Sequence, residues 1–275
     1  MQNTKNTPLR VAMGGLGAVG LPVVEWLDSG EEPGLQLVAV SAGDKERAAG
    51  RLAHLKTPPP VMELADLAAV ADVIVECAPP EHFLDVCGPA VEQGRILVPL
   101  SVSQLLHHMD LVDRARETGA TIVVPTGALV GLDTVRAAAE GNLRSVVMRT
   151  HKPPAGFQKA RWVQEQGIDL MGLTEPRKLY DGTGREAAER FPANVNVAVA
   201  LGLAGLGVDE TRYEVWADPT ITRNTHWITV ESDIVRVEMN IAGEPTAENP
   251  ATGKIVPLSM IATLRGLVSP LRVGT

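Results

Sequence analysis

One glycine pattern in the sequence has a spacing that suits phosphate binding. Residues 15–20 read Gly-Leu-Gly-Ala-Val-Gly, directly after an apolar run at 9–13 and at the start of a helical pattern at 20–27. In such a turn the first glycine permits a sharp change of direction, the second lets the backbone approach a pyrophosphate, and the third lets the helix pack close to the strand. Free N–H groups at the helix start then bind the phosphates, so the pattern predicts dinucleotide binding. The first half of the chain is expected to contact the cofactor through Gly15, Gly17, Ala18, Val19, Gly20, Ser41 and Ala78.

The residues after the second predicted strand leave the choice between NAD and NADP open. An acidic residue that binds the adenosine ribose hydroxyls usually ends this strand, but Ser41 stands there and Asp44 lies beyond it. Basic residues in the same neighbourhood would suit the 2′-phosphate of NADP, or they form the solvated face of a helix. These basic residues are Lys45, Arg47 and Arg51.

The elements that must position this loop alternate along the first half of the chain. Five short, almost continuously apolar runs are separated by five helical patterns, which is typical of a parallel sheet buried on both faces. This alternation predicts an α/β fold, a doubly wound Rossmann domain. The predicted strands are 9–13, 35–40, 72–76, 96–100 and 121–124. The predicted helices are 20–27, 45–55, 62–70, 81–93 and 105–118.

After Pro125 the pattern changes to that of an α+β domain. Three late strands follow one another in series, which predicts a mainly antiparallel sheet. We expect residues 1–127 to form the Rossmann domain, with the C-terminal helix within 250–275 packing back on it, and residues 128–249 to form the second domain. The predicted strands here are 146–150, 177–180, 212–216, 226–230 and 235–241, and the predicted helices are 132–140, 185–190, 194–203 and 256–267.

Composition and charge limit the partners of the protein. Of its 275 residues 45% are hydrophobic, enough for a sizeable core without metal or disulfide. The chain has 25 Lys and Arg residues against 33 Asp and Glu residues, a net charge of −8, so nucleic acid is not an expected partner. Cys77 and Cys87 are the two cysteines, and no leader or bilayer-spanning stretch is evident, so we predict a cytoplasmic protein that does not enter a membrane. No spacing of His, Cys, Asp or Glu residues suggests a metal site.

Four segments of the second half, read together with the glycine pattern, carry a family resemblance. They are Pro-Thr-Gly-Ala-Leu-Val-Gly-Leu-Asp at 125–133, Thr-His-Lys-Pro-Pro at 150–154, Phe-Pro-Ala-Asn-Val-Asn-Val-Ala at 191–198 and Ala-Asp-Pro-Thr-Ile-Thr-Arg-Asn-Thr-His at 217–226. With them the chain resembles the L-aspartate dehydrogenases over essentially its full length. The resemblance implies a Rossmann domain, an α+β dimerising domain and a homodimer. It also implies oxidation of L-aspartate with NAD or NADP to iminoaspartate, which hydrolyses to oxaloacetate and ammonia or enters NAD biosynthesis.

The resemblance further implies which residues form the site. The active-site histidine of the family falls on His226, and its cofactor-contacting alanine and asparagine fall on Ala128 and Asn196. The chain departs from the family pattern at Thr126, where a serine is usual. It also departs at 150–151, where Thr-His precedes a lysine in place of a frequent arginine. The second departure bears on how the substrate is anchored.

Among the six histidines, His226 is the predicted general acid and base. Oxidation of an amino acid at Cα needs a group that accepts a proton as the iminium forms and water adds, and histidine titrates in the useful range. His226 opens a predicted strand after a polar loop, so its imidazole could face a cleft. Its context alone would make it a structural histidine at a strand end, whereas the family match favours catalysis. His151 is a rival because it neighbours Lys152.

Aspartate carries two carboxylates, so its site needs cationic or N–H donors placed to bind both. Lys152, followed by two prolines in a predicted turn, is the first candidate, with a surface lysine as the alternative. Thr126 and Asn194 can donate hydrogen bonds to the substrate, although Asn194 would equally suit a helix N-cap. Arg223 is a weaker candidate, because surface exposure suits it better.

Two other functions remain compatible with the sequence. A related NAD(P)-dependent oxidoreductase of the dihydrodipicolinate or homoserine type shares the two-domain plan, and a thiolate at Cys77 would indicate a semialdehyde dehydrogenase. A non-catalytic dinucleotide-binding sensor or scaffold is the second alternative, because a fold does not determine a function.

Overall fold

The structure, a computed structural model, describes residues 7–157, 160–191, 195–246 and 252–274. The chain divides into two compact units. Unit 1 comprises Met1–Pro125 and Pro257–Arg272, and unit 2 comprises Thr126–Val256 and Val273–Thr275.

Unit 1 is built on a five-stranded sheet in the order β2-β1-β3-β4-β5, in which all neighbouring strands are parallel. Its strands are β1 (Leu9–Gly14), β2 (Leu35–Ser41), β3 (Val73–Glu76), β4 (Ile96–Pro99) and β5 (Thr121–Ile122). Its helices are α1 (Gly20–Ser29), α2 (Lys45–Leu52), α3 (Leu67–Val70), α4 (Phe83–Glu92), α5 (Val102–His107) and α6 (Asp110–Thr118).

Two apolar clusters form the core of unit 1. One contains Val23 and Leu27 of α1, and the other contains Phe83 and Val86 of α4. All four residues of β3 are buried, as expected for a parallel strand that is covered on both faces. The doubly wound arrangement predicted from the alternating runs is therefore confirmed.

The predicted helix 105–118 is wrong as a single element, because the structure has α5 and α6 in its place. His108 leaves the helical conformation at φ −131°, and its N–H bonds to the carbonyl of Leu105. The aspartates Asp110 and Asp113 then lie in the first turn of α6, where the helix dipole favours negative charge. The predicted helix 62–70 is likewise a 3₁₀ turn, Leu64–Asp66, followed by α3.

Unit 2 contains a second five-stranded sheet in the order β10-β9-β6-β8-β7. Neighbouring strands are antiparallel except β6 and β8, so the predicted mainly antiparallel sheet is confirmed as a mixed one. Its strands are β6 (Leu143–Lys152), β7 (Arg177–Thr183), β8 (Arg212–Ala217), β9 (Asn224–Ser232) and β10 (Arg236–Gly243). Its helices are α7 (Leu132–Ala139), α8 (Arg161–Glu165), α9 (Gly184–Arg190) and α10 (Asn196–Ala204).

The two faces of the unit 2 sheet differ in burial because side chains alternate along each strand. On β6, Met148, Thr150 and Lys152 are buried, whereas the side chain of Arg149 is 59% exposed. A Cβ added to Gly205, just after α10, would lie 3.1 Å from Val135 of α7, which shows how closely the helices approach each other. Helices α7 and α10 therefore pack against each other within unit 2.

The last helix, α11 (Ile255–Val268), supplies apolar side chains to unit 1. Met260 and Leu264 are fully buried in the same cluster as Val23. A Cβ on Gly34 would lie 3.0 Å from Val268, so the end of α11 lies close to the segment before β2. Among the described residues, no helix has the length and apolar character needed to cross a membrane.

Candidate active site

The glycine pattern forms the turn between β1 and α1. Gly15 has a φ of +122°, and a Cβ there would lie 2.4 Å from the carbonyl oxygen of Cys77. A Cβ on Gly20 would lie 2.1 Å from the carbonyl oxygen of Gly15. Both positions therefore require glycine for the turn itself.

Gly17 differs from the other two glycines because the protein does not restrict it. A Cβ on Gly17 would meet no heavy atom of the described residues within 4 Å. A glycine with open space beside it lets a ligand approach the backbone closely, and α1 begins three residues later. The loop thus fits the pyrophosphate of a dinucleotide.

The neighbours of the loop in unit 1 are held by hydrogen bonds. Ser41, buried at the end of β2, accepts the N–H of Gly15 at its carbonyl oxygen, 3.0 Å away. Asp44 caps α2 by accepting the N–H of Arg47. Arg51, predicted either as a charge beside a 2′-phosphate or as part of a solvated helix face, donates from Nη1 to the carbonyl oxygen of Leu16, 2.7 Å away. Its guanidinium therefore lies against the glycine loop.

Glu76 is a buried acid beside this loop that sequence reasoning missed. Its carboxylate accepts the Ser101 hydroxyl at 2.9 Å and the Ser101 and Leu100 N–H groups at 2.9 and 3.2 Å. Burial raises the pKa of this carboxyl. Glu76 thus links the end of β3 to the segment that directly follows β4. An acidic residue at the end of the apolar run 72–76 was the signal that could have identified it.

Cys77 does not have the surroundings of a nucleophile. Its Sγ donates to the carbonyl oxygen of Gly15 at 3.3 Å, and burial, together with the charge of Glu76, raises the pKa of the thiol. A reactive cysteine needs a lowered pKa, so the thiolate needed by a semialdehyde dehydrogenase is not favoured. Ala78, the next predicted cofactor contact, is 8% exposed.

In unit 2, His226 lies directly opposite Thr150 across the β6–β9 pair. The imidazole is 5% exposed, and its Nδ1 lies 2.9 Å from the Thr150 hydroxyl. Burial, together with the positive charge of Lys152, lowers the pKa of His226 to about 3. His226 is therefore a neutral imidazole at neutral pH.

Lys152 lies two residues beyond Thr150 on the same buried face of β6. It belongs to the strand, which extends two residues past the predicted 146–150, so the prediction that it lies in a Pro-rich turn is wrong. Lys152 is 5% exposed, so the surface-lysine alternative is wrong as well. Burial lowers the pKa of its ammonium group to about 8. A buried cation of this kind gains strongly from an anionic ligand.

His151, the rival histidine, belongs to the opposite face of the sheet. Its Nδ1 lies 2.9 Å from a carboxylate oxygen of Asp218, and its ring stacks on Trp216. Arg223, the weaker anion-binding candidate, is exposed and paired with Glu244 at 3.0 Å. The structure therefore groups His226 with Thr150 and Lys152, and it places neither rival on that face.

The other predicted site residues of unit 2 lie on separate elements. Thr126 and Ala128 belong to a turn before α7, in which the Thr126 carbonyl oxygen accepts the N–H of Leu129 at 3.1 Å. Asn196 is the first residue of α10. Asn194 lies outside the described residues. Within the described ranges, no group of three or more His, Cys, Asp and Glu side chains could hold a metal ion.

The comparisons with known proteins agree with the descriptions of unit 1 and of unit 2. Residues 133–267 match the model described as aspartate dehydrogenase, C-terminal. The L-aspartate dehydrogenase of Bradyrhizobium diazoefficiens is 48% identical over 272 residues, which cover 99% of this chain and 96% of that relative. The chain belongs to the L-aspartate dehydrogenase family. The family's protein from Methanosarcina acetivorans, an L-aspartate dehydrogenase, is 34% identical over 271 residues, 97% of this chain and 100% of the relative.

Solved structures share this fold over nearly the whole chain. The aspartate dehydrogenase of Thermotoga maritima has a TM-score of 0.72 at 23% identity, covering 98% of this chain and 100% of that one. A homoserine dehydrogenase from Thiobacillus denitrificans has a TM-score of 0.59 at 13% identity, covering 94% of this chain and 74% of that one. Residues 15–125 match the model described as homoserine dehydrogenase, NAD binding domain. The two halves of the chain thus match different family models, the first an NAD-binding domain and the second the C-terminal part of aspartate dehydrogenases.

Proposed function

We propose that the protein oxidises L-aspartate to iminoaspartate, which hydrolyses to oxaloacetate and ammonia, with NAD or NADP as the hydride acceptor. The observation that carries this proposal is the buried pair of Lys152, a cation, and His226, a neutral imidazole, on one face of the family-specific unit. A cation that binds a carboxylate and a base that accepts a proton are what the oxidation of an anionic amino acid requires.

Unit 1 is the cofactor-binding domain in this proposal. The open space beside Gly17 admits the pyrophosphate, and the N–H groups at the start of α1 bind it. A nicotinamide bound there would supply the hydride acceptor for oxidation at Cα of the substrate. Ala128 and Asn196 are the further cofactor contacts that the family resemblance implies. Arg51, held against the loop, supplies positive charge that would favour a 2′-phosphate.

Lys152 anchors the substrate in this proposal. Its ammonium group binds one carboxylate of aspartate, and the attraction is strong because both groups are withdrawn from water. Thr126 and Asn194 donate hydrogen bonds to the substrate. Holding both carboxylates fixes Cα in the orientation needed for hydride transfer.

His226 moves the protons. Because Nδ1 is engaged by Thr150, Nε2 is the ring nitrogen that meets the substrate. A neutral imidazole can take a proton from the substrate amine before the hydride leaves and then release it to solvent. The neutral ring can afterwards take a second proton from the water that adds to the iminium carbon. The imidazolium then returns its proton as ammonia departs.

Inhibition by succinate should depend on the charge of Lys152. Succinate has the two carboxylates of aspartate and no amine, so its own charge is constant above neutral pH. The lowered pKa of Lys152, about 8, means that the anchor is charged below that pH and loses its charge above it. We expect the inhibition constant of succinate to be flat below pH 8 and to rise above it, measured by steady-state kinetics with aspartate.

The matched control is Lys152→Arg, because a guanidinium stays charged over the whole range. In this variant the inhibition constant should be independent of pH. A flat profile for the unmodified enzyme, or the same rise in Lys152→Arg, would show that Lys152 is not the anchor.

A substrate screen tests the proposed function directly. Reduction of NAD and of NADP is followed with L-aspartate, homoserine, other amino acids and semialdehydes, and cofactor oxidation is followed with oxaloacetate plus ammonia and with cyclic imines. We expect turnover with aspartate and the reverse reaction with oxaloacetate and ammonia. Turnover only on another substrate, or tight cofactor binding with no turnover, would contradict the proposal.

The protein is also proposed to be a cytoplasmic homodimer whose product can enter pyridine nucleotide biosynthesis. The outer face of the unit 2 sheet supports a contact between copies, because it carries Trp227 at 36% exposure among charges of both signs, including Arg149 and Glu231. Trp227→Glu should shift the sedimentation of the protein from dimer to monomer, while Trp227→Phe should not. A monomeric wild-type protein, or a dimeric Trp227→Glu, would count against this interface.

A further inference from the structure

A third buried polar side chain extends the contact between His226 and Thr150. Tyr213 on β8 is fully buried, and its phenol is hydrogen-bonded with the Thr150 side chain. Strand β6 lies between β8 and β9, so Thr150 has a neighbour on either side. The result is a chain of hydrogen bonds from the imidazole through one hydroxyl to a second hydroxyl.

The surroundings of Tyr213, Thr150 and His226 offer these side chains few other hydrogen-bond partners. Tyr213, Thr150 and His226 are 0%, 1% and 5% exposed, so bulk solvent does not reach them. On the side away from β6, His226 of β9 pairs with the apolar Ile241 of β10. Lys152 is the charged group beside the imidazole. An unpaired polar atom in such a place destabilises the fold, so the hydrogen bonds that link these three side chains are strongly favoured.

The direction of the hydrogen bond between His226 and Thr150 decides which ring nitrogen of His226 can act as a base. A neutral imidazole carries one proton, on either Nδ1 or Nε2, and the hydrogen bond at one nitrogen selects the state of the other. If Nδ1–H donates to Thr150, Nε2 is a proton acceptor. If the Thr150 hydroxyl donates to Nδ1, Nε2 carries the proton and is a donor.

We propose that Thr150 and Tyr213 are positioning residues that hold His226 in one ring orientation and one tautomer. The side-chain oxygen of Thr150 bonds to both His226 and Tyr213, so Thr150 acts on the reaction through the imidazole. Tyr213 acts one step further away by orienting the Thr150 hydroxyl. The catalytic side of the inference rests on the proposed function, whereas the tautomer of His226 does not.

Nitrogen NMR of the histidine ring tests the structural part. In protein labelled with ¹⁵N at histidine, the His226 signals are assigned by their loss in His226→Gln. We expect one tautomer in the wild type and in Thr150→Ser, which keeps the hydroxyl. Thr150→Val, which replaces the hydroxyl by a methyl of similar size, should give a mixture or the opposite tautomer. Tyr213→Phe should produce a smaller change of the same kind.

The matched control is Thr225→Val on β9. Thr225 is also buried and directly precedes His226, but its hydroxyl donates to the carbonyl oxygen of Arg223 at 3.2 Å. This variant also replaces a threonine hydroxyl by a methyl group, but it leaves the hydrogen bonds among His226, Thr150 and Tyr213 in place. We expect its His226 signals to match those of the wild type, and thermal unfolding of each variant shows that it is folded.

Kinetics with aspartate test the catalytic part. Thr150→Val should lower kcat by about 10- to 100-fold, the range seen when the orienting partners of metal-binding histidines are removed, with a much smaller change in KM. Thr150→Ser should restore most of the activity. An unchanged tautomer and an unchanged kcat in Thr150→Val would overturn the inference. Absence of any turnover in the wild type would instead contradict the proposed function, and the NMR result would still decide the role of Thr150.

Discussion

His226→Ala is expected to lower kcat with L-aspartate by about 10²- to 10⁴-fold, the contribution typical of a general acid–base group. The imidazole is the neutral proton acceptor on the buried face of the unit 2 sheet, beside Lys152. Its removal should leave cofactor binding unchanged, because His226 is not one of the proposed cofactor contacts and the glycine loop belongs to unit 1. Steady-state kinetics and a fluorescence titration with the reduced cofactor measure the two effects separately.

The control for this prediction is His151→Ala. His151 is the neighbouring histidine on the opposite face, paired with Asp218, so its loss should leave kcat near the wild-type value. His226→Asn, which keeps a smaller polar group in the same place, guards against a folding defect in the alanine variant. Wild-type turnover in folded His226→Ala with normal cofactor binding would exclude the role.

Gly17→Ala is expected to weaken binding of the dinucleotide without weakening the fold. A methyl group there meets none of the described protein atoms within 4 Å, but it would occupy the space needed by the pyrophosphate. Overpacking of this kind costs about 1–3 kcal/mol, which corresponds to roughly a 5- to 150-fold increase in Kd. Fluorescence titration with the reduced cofactor gives the Kd, and thermal unfolding without cofactor gives the stability.

Two other glycine variants define the comparison. Gly15→Ala should lower the unfolding temperature as well, because a Cβ would lie 2.4 Å from the Cys77 carbonyl oxygen at a φ of +122°. Gly50→Ala, on the exposed side of α2, should affect neither cofactor binding nor folding adversely, since alanine is the better helix former. If Gly17→Ala bound the cofactor as the wild type does, the loop would not hold the pyrophosphate.

The fold of unit 1 could be predicted from sequence because its strands leave a local signal. The apolar run at 72–76 is a buried parallel strand in the structure, as its composition indicated. The single predicted helix at 105–118 failed because both α5 and α6 have helical periodicity. The conformation of one residue, His108, separates them, and periodicity does not report it.

The site in unit 2 was less accessible to sequence reasoning because it depends on contacts between distant strands. Lys152 precedes two prolines, which suggested a turn, yet pairing with Ala217 of β8 keeps it in a strand. The side chains of Thr150 and Tyr213 meet because β6 pairs in parallel with β8, and sequence patterns do not show which strands are neighbours. The role predicted for His226 came from the family resemblance, and its burial and its contact with Thr150 came from the structure.

Transfer of deuterium from L-aspartate labelled at Cα tests the central claim most directly. The enzyme is incubated with this substrate and NAD or NADP, and the reduced cofactor and the keto acid are analysed by mass spectrometry. The account predicts that the reduced cofactor gains one deuterium per molecule and that oxaloacetate and ammonia form in equal amount. A reduced cofactor without deuterium, or no reduced cofactor at all with labelled or unlabelled aspartate, would contradict it.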